Sequence, residues 1–133
     1  MNTIRYENRK PISPAQLAAL FDASGIRRPT GDLARMEKML KHADVLITAW
    51  DEDRLVGVAR ALTDFSYCCY LSDLAVDKRH QHTGIGGELI RHVRAAIGEE
   101  TMLLLLAAPE AMNYYPKVGF EAVGNGWIIK RTR

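Results

Sequence analysis

Residues 74–87 limit the fold of this chain more tightly than any other segment, because they join the end of an apolar run to a glycine-opened helix. Leu74 to Val76 end a run of strand type, and a polar loop follows. From Gly84 onward apolar residues recur one helical turn apart, at Ile85, Leu89, Val93 and Ile97. The pattern predicts a strand, a loop and a helix whose free first-turn amides and positive dipole end face the loop.

The glycines of this loop predict an anion site. Gly84 and Gly86 have no β-carbon to hold an anion away from the backbone amides, and Gly87 leaves further room beside the helix. The alternative is an ordinary glycine-rich turn. The loop lacks the Lys-Ser/Thr of a Walker P-loop, and its glycines are not in the dinucleotide register. A phosphate or pyrophosphate group is the expected ligand, and a Rossmann-type nucleotide domain is disfavoured.

Two helices are predicted before the main sheet. Ser13 and Gln16 form a capping box for the first helix, which Gly25 can end. Thr30 or Asp32 can cap the second helix.

Seven strands and two later helices complete the predicted order, β-α-α-β-β-β-α-β-α-β-β. The apolar run Met102–Ala107 predicts a strand buried on both faces. Pro109 can start a fourth helix, short or irregular at its end, that stops at Gly119. The predicted strands are residues 4–7, 45–50, 55–63, 67–76, 102–107, 120–123 and 127–129.

Composition favours one globular domain over residues 1–133, with 47% hydrophobic and 26% charged residues. The net charge of +2 gives no reason to expect a nucleic-acid partner. The longest uncharged apolar run, 102–109, is too short to span a bilayer, and the N-terminus does not resemble a signal peptide, so no membrane partner and a cytoplasmic location are expected. Cys68 and Cys69 are the only cysteines and suit neither a disulfide scaffold nor a zinc site.

Two motifs identify a family that the chain resembles over nearly its whole length. Residues 81–86 match Q/R-x-x-G-x-G/A, the pyrophosphate loop of the GCN5-related N-acetyltransferase (GNAT) superfamily. Residues 111–120 are similar to the family's A-x-x-F-Y-x-K-x-G-F motif. The resemblance implies a mixed α/β fold, with a mostly antiparallel sheet of about six or seven strands, a central parallel splayed pair and four helices.

The resemblance also implies an activity and a co-substrate. A GNAT enzyme is an acyltransferase that passes the acetyl group of acetyl-CoA directly to an amine, here a primary amine of a small molecule or peptide, without a metal. Asn113 is a candidate replacement for a family asparagine whose place is taken by Ala108. The cofactor-binding residues implied are Leu74, Ala75, Val76, Gln81, His82, Thr83, Gly84, Ile85, Gly86, Gly87 and Asn113. A homodimer is common among relatives, and the sequence leaves the oligomeric state open.

The catalytic roles implied by the family are an acid and a base. Tyr115 takes the acid position, where a phenol can protonate a departing thiolate. Asp73 is the only carboxylate within the predicted strand 67–76, but regular alternation turns it away from Ser72 unless a bulge intervenes. Water relayed through Tyr70 or Ser72 is the alternative base. Because a clear base and the family asparagine are missing, a non-catalytic acyl-CoA-binding or sensing module is the alternative function.

Overall fold

One mixed sheet of five strands organises the computed structural model, which describes residues 3–133. The spatial order follows the chain, β1-β2-β3-β4-β5. The first four strands pair antiparallel, and β5 pairs parallel to β4. The strands are β1 (Ile4–Asn8), β2 (Val45–Asp51), β3 (Arg54–Thr63), β4 (Cys68–Val76) and β5 (Met102–Leu104).

Three α-helices cover the sheet: α1 (Pro14–Ser24), α2 (Leu33–Lys41) and α3 (Ile85–Ile97). The capping box of α1 is confirmed, with both the Ser13 and the Gln16 side-chain hydrogen bonds present and Gly25 at the C-cap. Asp32, not Thr30, caps α2 through a hydrogen bond from the Arg35 amide. No described helix is long and apolar enough to cross a membrane.

The core lies on both faces of the sheet. On one face α3 packs against the strands through its buried apolar stripe, Ile85, Leu89, Ile90, Val93 and Ile97. On the other face α1 and α2 pack through Leu17, Phe21 and Met36, each fully buried. The two layers fix the end of β4 between the C-terminus of α1 and the N-terminus of α3.

A β-bulge at Ser72 changes which face each residue of β4 occupies. Arg60 pairs with Asp73 and Ala61 pairs with Leu71, so Ser72 is the extra residue. Before the bulge Leu71 packs in the α3 layer, whereas beyond it Leu74 packs in that layer. The bulge therefore turns Asp73 toward α1 and α2.

The last third of the chain departs from the predicted pattern. Only Met102–Leu104 forms a strand, and Met102 is 55% exposed, so the prediction of a strand buried on both faces over 102–107 is wrong. The fourth α-helix is replaced by two 3-10 turns, Pro109–Ala111 and Tyr115–Val118. The closing strands at 120–123 and 127–129 are not formed. The described part thus has five strands and three α-helices, fewer than the six or seven and four expected.

Candidate active site

The parallel pair β4 and β5 splays apart and opens a cavity of about 680 Å³. The pairing stops at Tyr70 and Leu104, while β4 continues to Val76. Beyond that point residues 105–108 diverge from β4. The volume lies within the usual range of small-molecule sites. The predicted residues that line it are Ser72, Leu74, Ala75, Val76, Gln81, His82, Gly84, Ile85, Gly86 and Tyr115.

Gly84 forms the N-cap of α3 at one end of this cavity. Its φ of 91° is in the left-handed region, where a side chain would be strained, and no atom lies within 4 Å of the place a β-carbon would take. No side chain caps α3 there. The first-turn amides and the positive end of the helix dipole are thus available to an anion in the cavity.

Gly86 has a different role from Gly84, because the Tyr114 side chain lies over its α-carbon. A β-carbon on Gly86 would collide with the Tyr114 hydroxyl oxygen and lie 3.3 Å from its Cζ atom. The space above Gly86, which was expected to admit an anion, is therefore occupied by the Tyr114 side chain. Gly87 lies outside the cavity lining, and a β-carbon there would make an ordinary 3.8 Å contact with Val118.

Two polar side chains hold the loop in shape. The Gln81 amide nitrogen donates to the Ser24 carbonyl at 3.2 Å and to the Val76 carbonyl at 2.9 Å, and so ties the loop to α1 and β4. The Thr83 hydroxyl donates to the His80 carbonyl and does not line the cavity. The side chains of Gln81 and Thr83 are engaged with backbone, so an anion would meet loop amides.

Tyr115 reaches the cavity from the opposite wall. Its ring packs edge-on against Tyr114 at 5.3 Å and against Phe120 at 5.5 Å between ring centroids. Burial raises the pKa of Tyr115 above its ordinary value and repulsion from Tyr114 adds to this, whereas Arg28 opposes it. The phenol is therefore protonated at neutral pH and can act as an acid.

Asp73 is fully buried and bound by two arginines. Its Oδ1 accepts from Arg28 Nε at 2.5 Å, and its Oδ2 accepts from Arg60 Nε. The same arginines hold the bulge, since Arg28 donates to the Ser72 carbonyl at 2.8 Å and Arg60 to the Ser72 hydroxyl at 3.0 Å. Asp73 does not line the cavity. This geometry favours a structural role for its carboxylate over that of a base.

Two other predicted residues lie away from the cavity lining. Tyr70 is partly exposed at the last residue pair of β4 and β5. Asn113 is exposed between the two 3-10 turns. The structure thus brings together Ser72, the 74–76 backbone, the glycine loop and Tyr115, and leaves Tyr70 and Asn113 outside.

Three charged residues of the cavity wall lie outside the two sequence motifs, residues 81–86 and 111–120. Arg28 and Lys78 line the wall, and Glu110 is the one carboxylate among its described lining residues. The Lys78 side chain lies against Gly25, where a β-carbon would be 2.7 Å from its Cε atom. The excess of positive charge suits a phosphorylated ligand. Across residues 3–133 no group of three or more His, Cys, Asp or Glu is placed to hold a metal ion.

The sequence of the chain is similar to those of known acetyltransferases. A family model described as "Acetyltransferase (GNAT) domain" matches residues 19–128. An uncharacterized N-acetyltransferase, ycf52, of Porphyra purpurea is 30% identical over 129 residues, which cover 90% of this chain and 71% of that protein.

Solved structures share the fold. A probable acetyltransferase of Staphylococcus aureus has a TM-score of 0.83 and 26% identity, with 97% of this chain and 100% of that chain covered. An aminoglycoside N-acetyltransferase in complex with CoA has a TM-score of 0.72 and 16% identity, covering 100% of this chain and 97% of that chain. At that identity the second likeness concerns the fold alone.

Proposed function

Because this chain belongs to the GNAT acetyltransferase family, we propose that it transfers the acetyl group of acetyl-CoA directly to a primary amine of a small molecule or peptide. One observation carries the proposal: the open end of β4, the uncapped N-terminus of α3 and the Tyr115 phenol meet around one cavity. An anion site, a strand edge and an acid are the groups that such a transfer needs.

The residues around the cavity fit acetyl-CoA. The amides that follow Gly84 would hold the pyrophosphate, and Lys78 supplies a nearby positive charge. The backbone of Leu74, Ala75 and Val76 runs along the open side of β4, where an N–H can polarise the thioester carbonyl. When bound, acetyl-CoA supplies the thioester whose carbonyl carbon the amine attacks.

Tyr115 is proposed as the acid. As the new C–N bond forms and the C–S bond breaks, its phenolic proton passes to the sulfur, so that a neutral thiol leaves. Burial supports this role, because it keeps the phenol protonated. Arg28, which also lines the cavity, opposes part of this rise in the pKa of Tyr115 and so favours release of the proton.

Water is proposed as the route by which the amine loses its proton. Ser72 lines the cavity, and its hydroxyl oxygen accepts from Arg60, which leaves its O–H free to donate. A water at Ser72 can therefore relay a proton. Asp73 is not proposed as the base, since both of its oxygens accept hydrogen bonds from guanidinium groups.

The amine is identified by a panel assay. Purified protein, acetyl-CoA and amines of different classes are incubated, CoA thiol release is followed with a trapping reagent, and products are weighed by mass spectrometry. We expect at least one amine to gain an acetyl group. The Tyr115→Phe variant should then turn over more slowly while binding CoA normally, with Tyr114→Phe as the matched control.

The panel also separates the proposal from a binding module. Calorimetric binding of CoA without acetylation of any amine or peptide N-terminus would contradict acetyl transfer and favour a non-catalytic sensor. Absence of both CoA binding and turnover would contradict the assignment of the glycine loop itself.

A further inference from the structure

Arg28 lines the cavity at a distance from the glycine loop. It lies in the segment between α1 and α2, and its Nη2 atom donates to the Ser72 carbonyl at 2.8 Å. The Gln81 side chain of the loop binds instead the Val76 carbonyl, further along β4. At about 3.3 Å per strand residue, these two carbonyls lie roughly 13 Å apart. Arg28 and the anion site at Gly84 therefore belong to different ends of the cavity.

The end that holds Arg28 is where the proposed reaction takes place. Tyr115, the proposed acid, is close enough to Arg28 for the guanidinium charge to oppose the rise in the pKa of the phenol. Ser72, the proposed site of the water relay, accepts a hydrogen bond from Arg28 through its carbonyl. An amine that attacks a thioester beside Tyr115 brings the rest of its molecule near Arg28. Arg28 is thus placed to contact the acceptor rather than the phosphates of CoA.

The charge of Arg28 is not fully balanced within the protein. Arg28 and Arg60 share a single carboxylate, that of Asp73, and no other carboxylate of residues 3–133, Glu110 included, forms an ion pair with either arginine. Two guanidinium groups against one carboxylate leave one net positive charge. The Arg60 side chain is 8% exposed, whereas that of Arg28 is 27% exposed. The unbalanced charge is therefore accessible at Arg28, on the cavity wall.

The Arg28 guanidinium also has unused hydrogen-bond donors. A guanidinium carries one N–H on Nε and two on each terminal nitrogen. In Arg28, Nε donates to Asp73, Nη1 to the Arg27 carbonyl and Nη2 to the Ser72 carbonyl. One N–H on each terminal nitrogen therefore has no partner in the described part of the chain. Two N–H donors on one positively charged group can bind the two oxygens of a carboxylate.

We propose that Arg28 binds a carboxylate of the acceptor, so that the acceptor is an amino acid whose amine is acetylated beside Tyr115. The inference rests on the proposed acetyl transfer and names its substrate class. A carboxylate, with one negative charge, would balance the net charge that Arg28 shares with Arg60 and would satisfy the remaining donors. A site built to bind a charged group rejects an analogue without it, because its partly buried donors are then left unpaired. Simple alkyl and aryl amines should therefore be poor acceptors.

Matched acceptors test the inference on the wild-type protein. Free amino acids, with β-alanine and γ-aminobutyrate, are compared with their carboxamides as acceptors of the acetyl group. We expect kcat/KM for the preferred acid to exceed that for its amide at least tenfold, chiefly through KM. An amide has the lower amine pKa and so the larger unprotonated fraction, which works against the expected preference. An amide accepted as well as its acid would overturn the inference.

Arg28→Gln should lower this acid-to-amide ratio of kcat/KM at least tenfold. A purely structural role of Arg28, through Asp73 and the bulge, would slow both substrates alike, and an unchanged ratio would overturn the inference. Arg28→Lys keeps the charge without the planar fork, so it should retain part of the preference, and it serves as the folded variant if the glutamine is unstable. Arg27→Gln is the matched control and should leave the ratio unchanged, because the exposed Arg27 side chain does not line the cavity.

Calorimetry separates this inference from the proposed acetyl transfer. Acid and amide are titrated into protein saturated with CoA, where no transfer can occur. Binding of the acid at least tenfold more tightly than the amide, with the difference lost in Arg28→Gln, supports carboxylate recognition. If that preference is found and no amine is acetylated, acetyl transfer fails and the carboxylate site stands. Equal binding of acid and amide, or no binding of the acid, would overturn the inference.

Discussion

Replacing Gly86 by alanine tests the packing of Tyr114 at the helix entry. The new β-carbon would collide with the Tyr114 hydroxyl, and overpacking of this kind costs about 1–3 kcal/mol. Alanine is favoured over glycine in a helix by about 1 kcal/mol, which offsets part of that cost. We expect Gly86→Ala to lower the free energy of unfolding by up to about 2 kcal/mol.

Tyr114→Phe should rescue this loss. Without the hydroxyl, the nearest remaining contacts of the new β-carbon are the Tyr114 ring atoms at 3.3 and 3.9 Å, which a shift of a few tenths of an ångström relieves. In the Tyr114→Phe background the alanine should therefore be neutral or stabilising, which gives a coupling energy of at least about 1 kcal/mol between the two sites. Gly87→Ala is the control, because its β-carbon would meet only an ordinary contact.

The assay is urea unfolding followed by the fluorescence of the buried Trp50, together with calorimetric titration of acetyl-CoA. Displacement of Tyr114 into the cavity should weaken binding about tenfold, or 1.4 kcal/mol, in the single variant. Binding should recover with stability in the double variant. Additive unfolding energies would refute the contact with Tyr114. Recovered stability with binding still weak would show instead that the anion itself occupies the space above Gly86.

Four further outcomes are expected. Tyr115→Phe should lower kcat at least tenfold with unchanged CoA affinity, and an unchanged kcat would exclude the acid role. Asp73→Asn should destabilise the fold by about 3–5 kcal/mol in urea unfolding, because it leaves two arginines without their carboxylate; a loss under about 1 kcal/mol would contradict this. Gly84→Ala should cost about 1–2 kcal/mol through its left-handed backbone, and Tyr114→Phe should not rescue it. Burial raises the pKa of Tyr114 and Tyr115, so the stability contributed by their neutral phenols is present below about pH 10 and is lost as pH rises from there through the raised values. Unfolding measured from pH 7 to 11 should show that loss, and Tyr115→Phe should reduce it.

Local chemistry made the first two-thirds of the fold predictable. The Ser13 capping box and the Gly25 stop set the bounds of α1 with residues close in sequence. At Gly84 the spacing of the apolar residues changes from that of a strand to that of a helix, and this change likewise marks the start of α3. Such local patterns can be interpreted without the rest of the chain. The predicted capping box, the helix end at Gly25 and the helix start at Gly84 were all confirmed.

The end of the chain was not predictable in the same way. An apolar run such as Met102–Ala107 has the same sequence pattern in a central strand and in an edge strand. Its burial depends on neighbouring strands and helices, which can come from distant parts of the sequence. Trp127 and Ile129 are residue types that favour strands, yet within residues 3–133 no strand pairs with them. The residue pattern of a segment indicates that it tends to be extended. Whether it joins a sheet depends on a neighbouring strand with which it can pair.

The parts of the site that a local backbone motif forms were predictable from the sequence. The parts that depend on side chains distant in sequence were not. The glycine loop and Tyr115 were identified from motifs. The bulge at Ser72 depends on strand register, and Arg28 comes from a loop 45 residues before its partner Asp73. An ion pair between residues so far apart produces no recognisable spacing in the sequence.

Because β4 and β5 share few residue pairs, the cavity beside them is held closed by few hydrogen bonds. Three residue pairs attach the cavity wall with Tyr114 and Tyr115 to the sheet, whereas β3 and β4 share seven. Regions with few shared hydrogen bonds open at a lower free energy than the whole molecule unfolds. We therefore expect the cavity to widen by a local fluctuation of this one wall, which would admit a ligand or release a product while the rest of the sheet stays closed.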